Sequence, residues 1–189
     1  MTLPIAENVK QSFEYAKDRL VGKWLDWVIL AVLTIIPVVN FIAIGTFLKI
    51  FRGEEPKLDN IGKSFLDGLM VAVIGIIYVI IPMIIMIIPI IGWIVGFVLL
   101  IAVTLLMIPA VYKFALTGNF GVAFAFKDNI AAIQEFGWGN YIISVVVFML
   151  ILAVLVILNI IPVVGTILMI VALPFVMIMA FKYLANVLA

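Results

Sequence analysis

Ile88-Pro89-Ile90-Ile91-Gly92 stands near the middle of 45 consecutive uncharged residues, 68–112, and Ile161-Pro162-Val163-Val164-Gly165 stands near the middle of 46 more, 136–181. A helix of that length would run about 68 Å at 1.5 Å per residue, far beyond a bilayer core of roughly 30 Å. Each run therefore reads as two spans with a reversal between them. Proline removes a helical donor and clashes with the preceding turn. Glycine three residues later is expected to take the positive φ that a reversal needs. A third copy, Ile36-Pro37-Val38-Val39-Asn40, lies inside a shorter uncharged run, 27–48. Its 22 residues give arms of about 16 Å, half a bilayer core. Hairpin one is therefore expected to be short or re-entrant, its tip shallower than the others and packed on protein.

Of the 189 residues 68% are apolar and 11% are charged, and the mean hydropathy is +1.43. Soluble globular chains are about half apolar and a quarter charged, so the chain is an integral membrane protein. A net charge of +1 gives no footprint for nucleic acid. The absence of Cys and His removes disulfides, thiol chemistry and the usual zinc ligands.

The expected organisation is a single all-α membrane domain over 1–189. An interfacial helix at 4–20 precedes a short hairpin at 24–51 and a full hairpin at 59–115. A second interfacial helix at 120–135 leads into a last hairpin at 138–189. The tip residues are Pro37, Asn40, Pro89, Gly92, Pro162 and Gly165. In this arrangement every charged residue and both termini share one face, which the positive-inside rule makes cytoplasmic in a cell membrane. Nothing reads as a removable signal peptide.

The two interfacial helices carry apolar stripes: Ile5, Val9, Phe13, Ala16 and Leu20 in one, and Phe120, Ala123, Phe126, Ile130 and Ile133 in the other. Phe13, Trp24, Trp27, Phe126 and Trp138 are expected at the membrane boundary, where aromatic rings collect. Gly92 and Gly96 form a G-x-x-x-G pair suited to close helix packing.

Phe51-Arg52-Gly53-Glu54-Glu55-Pro56-Lys57-Leu58-Asp59, followed by Phe65-Leu66-Asp67-Gly68-Leu69, resembles the loop of an uncharacterised, mostly archaeal multi-pass membrane family, domain of unknown function 4013. The Pro-hydrophobic hairpin before that loop and the Phe-rich segment from Phe120 to Ile130 resemble it too. The resemblance implies a cell membrane and no assigned activity.

Little in the sequence suggests reaction chemistry. Asp26 reads as a hydrated boundary carboxylate paired with Lys23 or Arg19. Glu54, Glu55 and Asp59 read as a solvated acidic turn. Thr34, Thr46 and Thr104 are expected to bond their own helices, and Asn159 to bond between helices. No nucleophile with a base, metal-ligand cluster or phosphate loop is present. The expectation is a non-enzymatic structural, scaffold or lipid-organising subunit. It binds no cofactor or metal, contacts membrane lipids, and assembles with itself or with other membrane subunits. The alternative is a small transporter, channel or accessory subunit.

Overall fold

The computed structural model describes residues 3–189. It is all-helical in its regular elements: α1 (Ile5–Leu20), α2 (Trp24–Ile35), α3 (Asn40–Leu48), α4 (Ile61–Ile85), α5 (Ile91–Thr117), α6 (Phe126–Phe136), α7 (Trp138–Leu158) and α8 (Val164–Leu188). Short 3-10 turns at Lys49–Arg52 and Phe120–Phe124 follow α3 and α5. Four helices, α4, α5, α7 and α8, are long and apolar enough to cross a membrane. The interfacial segment expected as one helix over 120–135 is instead a 3-10 turn and then α6, separated at Ala125. Pro4 is the N-cap of α1 rather than its first helical residue.

All three Pro motifs make the same turn, but its chemistry differs from expectation. Positive φ falls on the residue directly after each proline: Val38 (70°), Ile90 (65°) and Val163 (59°). Asn40, Gly92 and Gly165 stay outside that region. In each turn the proline carbonyl accepts from the N–H two residues on, Val39 (2.8 Å), Ile91 (2.8 Å) and Val164 (2.7 Å). Ile90 and Val163 have ψ of −72° and −61°, the γ-turn with positive φ, a rare and strained conformation. Gly92 and Gly165 serve a different need. A Cβ on either would run into a carbonyl oxygen of the preceding arm, at Ile85 or Leu158 respectively. The tip closes so sharply that the second arm starts in backbone contact with the first. Gly96 continues this approach against Met86 and Pro82. Asn40 bonds the turn through its backbone N–H, to Ile36 O at 2.9 Å.

Hairpin one has arms of 12 and 9 residues, about 18 and 14 Å long. α3 lies antiparallel on the start of α4, with Gly45 against Ser64 and Phe41 against Gly68. Extended by four residues, that register sets Pro37 about level with Ala72. α4 then continues 13 residues to Ile85, some 20 Å further. The first tip thus stops well short of the Pro89 tip along the same helix, in line with the length argument. Ile36 and Val38 are exposed within the single chain, so hairpins two and three leave the tip uncovered; a neighbouring subunit is the other expected cover.

Prolines inside the spans leave backbone carbonyls without a helical donor, which hydrocarbon does not tolerate. Pro109 frees the carbonyl of Leu105, and the Tyr141 hydroxyl on α7 donates to it at 2.6 Å. The Trp27 indole donates to the Val171 carbonyl at 2.7 Å, one turn before Pro174. Thr34, Thr46 and Thr104 bond carbonyls of their own helices. Thr166 Oγ1 donates to Asn159 Oδ1 at 3.1 Å, joining α8 to the end of α7.

The core sits in the half of the bundle that carries the charges. Phe51 packs on Tyr112 and on Phe181 (5.3 and 5.0 Å between ring centroids), and Phe47 adds a third ring contact with Phe181. These rings join α3, α5 and α8. The other half is built differently. Over residues 80–104 and 152–173 only Pro82, Gly92, Gly96 and Gly165 are buried. Each of these glycines packs inside its own hairpin. The two long hairpins therefore stand apart there, with large side chains such as Ile87 and Ile160 exposed.

Candidate functional site

The charged face combines largely buried ion-paired clamps with an exposed acidic turn. Arg52 Nη2 meets Asp67 Oδ2 at 2.7 Å while Arg52 Nε donates to the Ala115 carbonyl at 2.6 Å. Both side chains are largely buried, 11% and 14% exposed. Lys49, also buried, pairs with Asp59 and donates to the Lys57 carbonyl at 2.6 Å. Arg19 pairs with Glu55, which also meets Lys57 at 2.5 Å. Arg19 is thus engaged with the 53–59 loop and not with Asp26. The acidic turn is exposed at Glu55 and Asp59, 40% and 65%, and is also ion-paired there, whereas Glu54 has no ion pair among the described residues.

Lys57, and then Arg19, holds the Glu55 carboxyl down at about 2, against an ordinary value of 4.5. A depressed carboxyl favours the folded loop at pH above 4.5, and that preference fades as pH falls towards 2. An NMR titration of the Glu55 side-chain carbon should therefore have its midpoint near 2. In Lys57→Ala the midpoint should move up towards 4.5. An unmoved midpoint would remove Lys57 as the main cause.

α1 places polar groups against α8. Its buried residues are Asn8, Ser12, Ala16 and Leu20, four apart along one face. Of the expected apolar stripe, Ile5 and Phe13 are 41% and 45% exposed, while Ala16 and Leu20 are buried. The Asn8 amide donates to the Tyr183 carbonyl (3.2 Å), and its oxygen accepts from Asn186 Nδ2 (2.8 Å) and Ser12 Oγ (3.2 Å). Arg19 and Lys182 both lie over the Tyr15 ring, at 5.0 and 5.3 Å.

Beside this contact lies a cavity of about 250 Å³. Its polar lining is Asn8 from α1, Asn140 and Ser144 from α7, and Tyr183 and Asn186 from α8. Leu3, Ile5 and Phe136 supply apolar wall, and among the described residues no charged side chain lines it. The Tyr183 hydroxyl is buried with the Ser144 hydroxyl as its polar neighbour, and makes no well-formed hydrogen bond among the described residues. Phe136, Asn186 and Val187 also line a second cavity, of about 650 Å³, between α5, α6 and α8. Ser144 was visible in the sequence as a polar residue in a span. Asn8, Asn140, Tyr183 and Asn186 gave no joint signal.

A buried polar knot holds the Phe-rich segment in place. The Tyr78 hydroxyl donates to the Ala123 carbonyl (2.6 Å), which also accepts from Asn129 Nδ2 at 3.0 Å. Phe124 and Phe126 pack on the Tyr78 ring at 5.9 and 5.6 Å. The buried face of α6 is thus Asn129 and Ile133, and Phe126 is 48% exposed. One side of that ring packs on Tyr78.

The other expected boundary residues are dispersed around the bundle. Trp24 is exposed and stacks on Trp27 at 5.5 Å, Phe13 meets Phe175 edge-on at 5.3 Å, and Trp138 is exposed at the start of α7. The hairpin tips carry no ionisable group. Among the described residues no group of three or more Asp or Glu side chains converges as metal ligands.

A family model described as "Protein of unknown function (DUF4013)" matches residues 29–164, from within α2 to the tip of the last hairpin. No curated protein and no solved structure matches the chain. The matched span contains Asn140 and Ser144 and leaves Asn8, Tyr183 and Asn186 outside it.

Proposed function

We propose that this chain, which belongs to the DUF4013 family, is a non-enzymatic, lipid-organising membrane protein whose charged face is cytoplasmic. One observation carries the reading, the unequal cross-section of the bundle. The charged half contains α1, both arms of hairpin one and α6 in addition to the four spans. The other half contains only two hairpins that stand apart, with no side chain larger than proline buried in them. A body of that shape displaces more lipid from the charged-side leaflet than from the opposite one. Exposed apolar residues on the short elements, Ile5, Phe13, Leu25 and Phe126, suit insertion at the boundary of that leaflet. The lysines and arginines on that face favour the cytoplasmic side. The gap between the far halves takes lipid chains, or the hairpins of another copy or membrane subunit.

Reconstitution into large unilamellar vesicles tests this. At rising protein-to-lipid ratio, electron cryomicroscopy should show smaller vesicles or tubules, with the charged face on the convex side. Lys57→Cys and Lys127→Cys should then react with an impermeant thiol reagent added outside. Vesicle diameters equal to those with a cylindrical four-span control protein would sink the wedge reading. Labelling of the two positions from opposite sides would overturn the topology.

The second reading, a small transporter or an accessory subunit of one, is favoured by the uncharged polar cavity at the ends of α7 and α8. Solute-dependent flux in the same vesicles, abolished by Asn140→Leu, would select it.

A further inference from the structure

We infer that the cavity between α1, α7 and α8 is a binding site for an uncharged, hydroxyl-rich group, either the headgroup of a neutral glycolipid or a free sugar or polyol. The inference stands on the cavity's own chemistry and does not depend on the membrane-shaping reading. Every polar side chain in its wall, among the described residues, is an amide or a hydroxyl: Asn8, Asn140, Ser144, Tyr183 and Asn186. Amides and hydroxyls offer donors and acceptors together, which is the complement of a group whose hydroxyls also do both. A phosphate, carboxylate or ammonium would need a counter-charge to leave water, and none of the described residues supplies one in this wall.

The wall is built rather than incidental. Asn8 is 3% exposed, Ser144 4% and Tyr183 0%. Asn8 is fixed by bonds to Ser12, to Asn186 and to the Tyr183 carbonyl, so α1 closes the site over α8. The Tyr183 hydroxyl is buried with the Ser144 hydroxyl as its polar neighbour, and makes no well-formed hydrogen bond among the described residues. A buried polar group so poorly paired is costly. A ligand hydroxyl taken up at Ser144 would complete the chain Tyr183–Ser144–ligand. Phe136 gives an apolar surface for the carbon face of a sugar ring. The same residue faces the adjoining 650 Å³ cavity, whose wall mixes Pro109, Leu116 and Leu188 with Lys113 and Glu135. Its apolar side offers a place for the start of an acyl chain next to the polar group. The site lies two turns or less from Trp138 at the start of α7, the depth at which headgroups sit.

The test uses the full-length protein in mild detergent, with native mass spectrometry to count bound ligand. The probes are a monohexosyl diacylglycerol, phosphatidylglycerol as the anionic lipid, and the free hexose. The monohexosyl lipid should remain bound through delipidation and outcompete phosphatidylglycerol. Asn140→Ala and Ser144→Ala should each weaken it by about five- to tenfold, the range expected for one lost hydrogen bond. Tyr183→Phe keeps the ring's packing and removes only the poorly paired hydroxyl, so it folds even if Asn8→Ala does not. It should weaken binding by about threefold if Tyr183 backs Ser144. Equal binding of the free hexose, sensitive to the same substitutions, assigns the site to a soluble polyol and supports the chemistry. Preference for phosphatidylglycerol, binding unaffected by all three substitutions, or no binding of either hexosyl probe overturns it.

Discussion

Gly45→Ala and Gly68→Ala should each destabilise the folded protein by about 3 kcal/mol, and together they should detach α3 from α4. Overpacking a filled site costs about 1–3 kcal/mol when side chains can give way. Here they cannot, because the obstacle is backbone. A Cβ on Gly45 would overlap the Ser64 carbonyl oxygen, and one on Gly68 would overlap the Phe41 carbonyl oxygen. The two collisions are reciprocal, one on each helix, four residues apart in an antiparallel register. The helices are thus in direct backbone contact, with each carbonyl aimed at a glycine Cα–H of its neighbour, a weak but recurrent helix–helix contact. Ser64, small and buried, completes with the two glycines a seam of the kind that joins membrane helices without a hydrophobic driving force. Gly62, near the start of α4, has nothing within 4 Å of a built Cβ. Gly62→Ala should therefore be neutral or stabilising by up to ~1 kcal/mol, as alanine is the better helix former. Unfolding by SDS titration in mixed micelles measures all three. A Gly45→Ala protein as stable as Gly62→Ala would mean that α3 is not seated on α4.

The contrast between these positions bears on what a reader of the sequence can reach. The hairpins follow from arithmetic on uncharged runs, because a helix cannot outrun the bilayer and each run carries a proline near its middle. The short first hairpin follows from the same arithmetic, and its tip level with Ala72 agrees with it. The place of positive φ did not follow. Propensity favours Gly92 and Gly165, but those glycines are needed where two backbones touch, and the strain falls on Ile90 and Val163 instead. Local preference yields to a tertiary contact there. The face of α1 that packs on α8 was illegible for a related reason. Asn8 and Ser12 are polar, so an apolar stripe passes them over, yet α8 supplies Asn186 and the Tyr183 carbonyl to receive them. Partners some 175 residues away leave no mark in local spacing. The polar cavity was illegible on the same ground, since its five polar residues come from three helices and share no motif. The family match spans the hairpin pattern that local arithmetic can see and stops before α8 contributes its half of the cavity.

Charge placement was the other feature that spacing misjudged, and it leads to the largest single-residue effect. Arg52 looks like part of a solvated turn, but its guanidinium is 11% exposed and joins three elements at once: the 3-10 turn after α3, Asp67 on α4, and the carbonyl of Ala115 near the end of α5. The last four carbonyls of a helix lack helical donors, and the C-terminus carries partial negative charge. Arg52 therefore satisfies an orphan acceptor through Nε and sets its charge against the Asp67 carboxylate through Nη2, an ion pair rather than a well-aligned hydrogen bond. Arg52→Gln should cost about 3–5 kcal/mol, because it leaves the Asp67 carboxylate buried without a counter-charge. Asp67→Leu should cost a similar amount by stranding the guanidinium. The paired replacement Arg52→Met with Asp67→Leu removes both charges and keeps apolar volume. It should recover most of the loss, since replacing a buried ion pair by packed apolar groups is often neutral or better. What it cannot restore is the bond to Ala115, so a deficit of about 1 kcal/mol should remain. The double-mutant cycle, read by the same SDS titration, isolates the pair. A coupling near zero, with each single variant within about 0.5 kcal/mol of the parent, would place Arg52 and Asp67 in water after all. The clamp would then not be what holds hairpin one against the ends of α4 and α5.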